Sequence, residues 1–155
     1  MLKYIVTIVL LALGLVGCGE IAVEPKPTVA APEATSDYDL AVISVDFEPA
    51  LQGNRLPISD TYAVLVAVEN RGLLTARNVK VNASVENVAT DVIVLKGAQG
   101  LNELAPGAIK VVRIETSGSL PPEFATYELT VQAQPLPTET ITSNNVRGFV
   151  IRVAP

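Results

Sequence analysis

Chemistry in this chain rests on carboxylates and carboxamides, because its 155 residues include no histidine and one cysteine. The usual general base and the commonest zinc ligand are therefore missing. Paired carboxylates could still hydrolyse a glycoside, and two pairs are close in sequence: Asp46 with Glu48, and Glu115 with Glu123. These acids fall at strand ends or on wet faces of the elements assigned below, so surface charge is their expected role and no catalytic residue is assigned. Asp37, Asp39, Asp60, Glu139, Asn144 and Asn145 carry hard oxygens of the kind calcium prefers. Their spacing fits no fixed calcium loop, and Asp and Asn at turns commonly bond the backbone. No metal or free cofactor is expected; Asp37, Asp39, Glu139, Asn144 and Asn145 are the residues that would hold a cation.

The single thiol has a different use. Cys18 follows an apolar run from Tyr4 to Val16, which begins just after Lys3. That run has the length of a secretory h-region and is too short to span a bilayer. Leu15-Val16-Gly17-Cys18 resembles the lipobox of bacterial lipoproteins. The resemblance implies cleavage before Cys18 and a diacylglycerol thioether on its sulfur, a bond that only a thiol can form. Gly19, where an aspartate would favour retention, implies an outer membrane if the host has one, and otherwise the outer face of the cytoplasmic membrane. The expected localisation is the bacterial cell envelope, with the membrane as partner through the lipid.

Removing residues 1–17 takes away Lys3 and no acid, leaving 10 Lys+Arg against 16 Asp+Glu. A net charge near −6 excludes the basic footprint that nucleic acid requires. Residues 18–36 then read as a tether: Glu24-Pro25-Lys26-Pro27 and a run of small residues to Ser36 lack apolar periodicity. Such a segment reaches between ~25 Å coiled and ~55 Å as extended polyproline II. Residues 37–155 form the expected domain, with no disulfide available to it.

These side chains must be positioned by strands. Ala41, Ile43, Val45 and Phe47 alternate along Leu40–Phe47, as do Tyr62, Val64, Val66 and Val68. Val79, Val81, Ala83 and Val85 alternate with Lys80, Asn82, Ser84 and Glu86, and Tyr127, Leu129, Val131 and Ala133 with Glu128, Thr130 and Gln132. Period two with one wet face is the signature of antiparallel sheets. Further runs are Asp91–Leu95, Ile109–Glu115 and Phe149–Val153, separated by turns at Asn70-Arg71-Gly72, Gly97–Gly100, Pro106-Gly107, Pro121-Pro122 and Asn144-Asn145. About seven strands at this spacing make an all-β antiparallel sandwich, immunoglobulin-like in architecture. Tyr62 and Tyr127 fall on core faces, and there is no tryptophan to serve as a sugar platform. Tyr127 also fits a tyrosine corner near Pro121-Pro122.

An ordered set of residues then points to a family: Asp39-Leu40-Ala41-Val42, Val66-Ala67-Val68-Glu69-Asn70-Arg71-Gly72, Leu104-Ala105-Pro106-Gly107, Tyr127-Glu128-Leu129-Thr130-Val131, and Glu139 before Asn144-Asn145. Together they resemble the CARDB domain, an immunoglobulin-like module named for a relation to cell adhesion. The family's second acid near the double asparagine is replaced by Thr142 and Ser143. The resemblance implies a noncatalytic envelope module that binds protein or polysaccharide through a sheet edge or loops; Gly97–Glu103 and Leu136–Asn145 are the candidate loops. The alternatives are an accessory subunit of an envelope complex or enzyme, and a small hydrolase or solute-binding lipoprotein.

Overall fold

Tyr127, Leu129, Val131 and Ala133 form alternate positions of one strand, and all four are fully buried. The same rule builds the rest of the domain. The computed structural model describes residues 36–53, 55–120 and 125–154. The signal peptide, Cys18 and nearly all of the tether expected from the sequence lie outside these residues, as do Glu123 and the Pro121-Pro122 connection.

Nine strands follow one another without a helix among the described residues: β1 (Leu40–Glu48), β2 (Arg55–Pro57), β3 (Ala63–Asn70), β4 (Ala76–Asn87), β5 (Val92–Leu104), β6 (Ile109–Glu115), β7 (Ser117–Gly118), β8 (Thr126–Ala133) and β9 (Val146–Ala154). A three-stranded sheet has the order β1-β3-β6, and a six-stranded sheet the order β2-β9-β8-β4-β5-β7. Apart from β2 and β7, three and two residues long, these are the strands of the expected sandwich. Every pairing is antiparallel except that of β2 with β9.

The core lies between the sheets. Leu40, Val42, Val64, Val66, Val68, Val112 and Ile114 face it from the smaller sheet; Val79, Val81, Val85, Leu95, Leu129, Val131 and Ile151 face it from the larger. Among the described residues the core runs from Leu40 to Val153, so the chain from Ser36 onward contains a core of its own.

Three local readings change. The alternation in β1 slips at Ile43: a bulge between Val42 and Ser44 puts Leu40, Val42, Val45 and Phe47 in register with the inward positions of β3, so Ala41 and Ile43 leave the predicted face. Gly97–Glu103 is strand rather than loop. It continues the ladder with β4 from Ala83↔Gly97 to Arg77↔Glu103. Its glycine is required by close approach, since a β-carbon on Gly97 would collide with the Glu115 carbonyl and lie 2.7 Å from Ile114 Cγ2. Finally, β2 carries no alternation of its own and is placed by parallel pairing to β9.

Candidate functional site

The oxygen-bearing residues singled out in the sequence gather where β1 begins, against the connection from β8 to β9. Glu139, within that connection, is the hub. Its Oε1 accepts from the Leu40 N–H at 2.6 Å and from Asn145 Nδ2 at 3.0 Å. Its Oε2 accepts from the Leu136 N–H at 2.8 Å. Asn144 Nδ2 donates to Asp39 Oδ1 at 2.7 Å. The backbone repeats the arrangement: Val42 N–H donates to the Asn144 carbonyl and Ala133 N–H to the Asn145 carbonyl, each at 2.9 Å. Asp39, Glu139, Asn144 and Asn145 are thus one cluster. Asp37 borders it through its backbone, its carbonyl accepting from Leu74 N–H at 3.0 Å.

Asn70 completes this end of the sandwich, and the sequence marked it only as a turn residue. It is fully buried, opposite Leu40 in the β1–β3 register. Its Nδ2 donates to the carbonyls of Leu74 and Leu104 at 2.9 and 2.8 Å, and its Oδ1 accepts from Gly72 N–H at 3.0 Å. An asparagine closing an apolar strand just before a turn was the available signal, since a buried carboxamide must find several partners. Gly72 lies flat against the incoming chain: a β-carbon there would stand 2.5 Å from the Asp37 carbonyl oxygen and 2.9 Å from the Asp39 nitrogen.

This cluster organises backbone. Three donors occupy the Glu139 carboxylate, and Asp39 takes an amide. Asn144 Oδ1 and Asn145 Oδ1 are buried acceptors that no donor among the described residues reaches. Among the described residues no three acids or cysteines converge as a metal-binding group. Asp60 stands apart, in the β2–β3 connection.

Of the carboxylates considered for hydrolysis, the three among the described residues are likewise engaged. Asp46 Oδ1 accepts from Phe47 N–H at 2.8 Å. Arg113 Nε donates to Glu48 Oε2 at 2.7 Å, and its Nη1 to Glu115 Oε1 at 2.8 Å. The hydrogen bond to Glu48, then that to Glu115, raises the pKa of the Arg113 guanidinium. A glycosidase acid needs a protonated carboxyl in apolar surroundings, whereas these side chains are 55% and 84% exposed. Beside them lies an open cavity of about 420 Å³, lined in part by Ser59, Tyr62 and Thr116. Tyr62 makes corner-type contacts, its hydroxyl donating to the Pro57 carbonyl and accepting from Ser59 N–H.

One flank of the sandwich is open. β5 pairs with β7 only at Leu95 and Lys96, so from Gly97 onward its outer edge has no strand partner among the described residues. Facing it, β6 is paired on its β3 side alone among the described residues. A groove of about 620 Å³ lies between them, lined by residues including Gln99, Gly100, Leu101, Val111 and Arg113.

Two antiparallel-dominated sheets with an open flank and a polar clasp at one end define an immunoglobulin-like sandwich. More narrowly, the fold is that of CARDB domains. The chain is similar to the CARDB domain of the PF1109 protein from Pyrococcus furiosus, solved in complex with di-metal ions: 15% identity, TM-score 0.56, covering 84% of this chain and 100% of that one. A solution structure of the same CARDB domain matches with 18% identity and TM-score 0.51, over 76% of this chain and 96% of that one. A domain assigned to a cell surface protein from Methanosarcina acetivorans matches with 19% identity and TM-score 0.51, over 76% and 92%. No protein-family profile and no curated protein matches the sequence.

Proposed function

We propose that this protein is a noncatalytic interaction module of a bacterial cell envelope, held to the membrane by lipid on Cys18, that binds an envelope protein or polysaccharide along its open flank. The observation that carries this reading is the outer edge of β5 from Gly97 to Asn102, which has no strand partner among the described residues, beside the groove to β6. Unpaired strand edges accept extended partners through backbone hydrogen bonds. The cell-surface assignment of the Methanosarcina neighbour supports the location. Engagement of Asp39, Glu139, Glu48 and Glu115 in structural contacts supports the absence of chemistry. A tether of residues 18–36 would raise the local concentration of the domain near the envelope, so a modest contact suffices.

The test has two arms. Fractionation should move a Cys18→Ser protein out of the membrane; full membrane retention defeats the anchor. Crosslinking from a photoreactive group at Gln99, in solubilised envelope, should capture a partner that Gly100→Pro loses while keeping the fold. Capture unaffected by edge variants would shift the reading to an accessory subunit docked elsewhere. Reproducible hydrolysis on ester, glycoside or peptide panels, lost on mutating one carboxylate without unfolding, would overturn the noncatalytic assignment.

A further inference from the structure

Two like-charged pairs stand directly opposed on the outer face of the six-stranded sheet, which elsewhere carries the ordinary ion pair of Arg77 with Glu103. Arg55 on β2 stands opposite Arg152 on β9, and Glu86 on β4 stands opposite Glu128 on β8. Their sequence neighbours Leu56, Val153, Val85 and Leu129 are buried, so strand alternation turns all four charged side chains outward. Directly opposed like charges destabilise a sheet. None of the four forms an ion pair among the described residues. The acid diagonal to Arg152 turns the wrong way: Glu128 Oε1 lies 3.2 Å from the point a β-carbon on Gly148 would occupy, across Val150 from Arg152. Val150 itself, between the two pairs, is 63% exposed, and Ile93, opposite Glu86, is 53% exposed.

A second copy of the chain would supply the missing counter-charges. A two-fold interface uses the same patch from both subunits, so that patch must complement itself. Two arginines at one end, two glutamates at the other and an exposed valine between them meet this condition. We propose that the outer face of the six-stranded sheet is the interface of a homodimer. Its two-fold axis lies in the interface plane between the two charge pairs, setting Arg55 and Arg152 of each subunit against Glu86 and Glu128 of its mate. This face is distinct from the β5–β6 flank, so the dimer and the partner-binding reading stand or fall separately.

Sedimentation equilibrium on residues 36–155 tests the proposal. The chain should dimerise at low salt, and dimerisation should weaken about tenfold or more at 0.5 M NaCl, where the Debye length falls below ~5 Å. Arg55→Glu with Arg152→Glu should give a monomer, as should Glu86→Lys with Glu128→Lys; an equimolar mixture of the two variants should restore a dimer. Circular dichroism checks that each variant folds, and exposed Val150→Lys provides a third disruptor should either pair fail. A wild-type monomer at low salt up to about 1 mM, weaker than the ~4 kcal/mol of a millimolar complex, overturns the proposal. So does a dimer unaffected by these substitutions, or a mixture that stays monomeric.

Discussion

The side chain of Glu139 accepts the backbone N–H of Leu40 at 2.6 Å, across 99 residues of chain. The first long strand is thereby sealed by the last connection. Truncating the side chain leaves Leu40 N–H and Leu136 N–H without their acceptor and frees Asn145 Nδ2. Glu139→Ala should therefore cost roughly 2–4 kcal/mol, the range for hydrogen bonds to a charged, partly buried acceptor. Glu139→Gln should retain part of this stability. Urea unfolding of both variants measures the difference.

Asn70 is the second test of polar closure. Asn70→Ala removes two donated bonds and one accepted bond at a fully buried position. The expected loss is about 2–4 kcal/mol. Asn70→Asp should be at least as damaging at neutral pH, because a carboxylate would face the Leu74 and Leu104 carbonyls where an amide now donates. Parallel thermal melts of the two variants check the order.

The core register is tested by a neighbouring pair. Leu129 is fully buried and Thr130 lies on the outer face. Leu129→Ala should cost roughly 2–5 kcal/mol, and Thr130→Ala under about 1 kcal/mol. Equal losses would place the register one residue out.

Gly72→Ala probes the close approach of the entering chain. The three atoms nearest the added methyl are backbone atoms of Asp37, Tyr38 and Asp39, none of which can rotate away. A loss of about 1–3 kcal/mol is expected, as for other overpacked sites. Faster hydrogen exchange at the Leu73 and Leu74 amides, which bond the Ser36 and Asp37 carbonyls, should accompany it.

Alternation made most of this fold legible. The sets Tyr62–Val68, Val79–Val85 and Tyr127–Ala133 face the core as their period requires. Ile43 misled because a bulge leaves no mark in an apolar run; only the register with β3 reveals it. The stretch from Gly97 to Glu103 misled because its small polar residues lack alternation, yet a long partner in β4 carries the ladder through them. Within the polar cluster, residue types were visible but partners were not. The double asparagine and Glu139 announce hydrogen bonding, while their contacts with Asp39 and Leu40 depend on how distant chain ends meet. The opposition of Arg55 to Arg152 is hidden for the same reason, since strand order alone makes them neighbours.

The clasp at Glu139 also orders events in time. While the chain is being made, Leu40 emerges long before the carboxylate that will receive its amide, and before Asn144 and Asn145, which fix the neighbouring positions. Until then β1 can pair with β3 and its entry can bond the β3–β4 turn, but the Leu40 and Val42 amides lack their acceptors. Loops of this length close late, because their entropy is lost before the distant contact rewards it. The clasp over β1 therefore forms only once the β8–β9 connection, through Asn145, has been made.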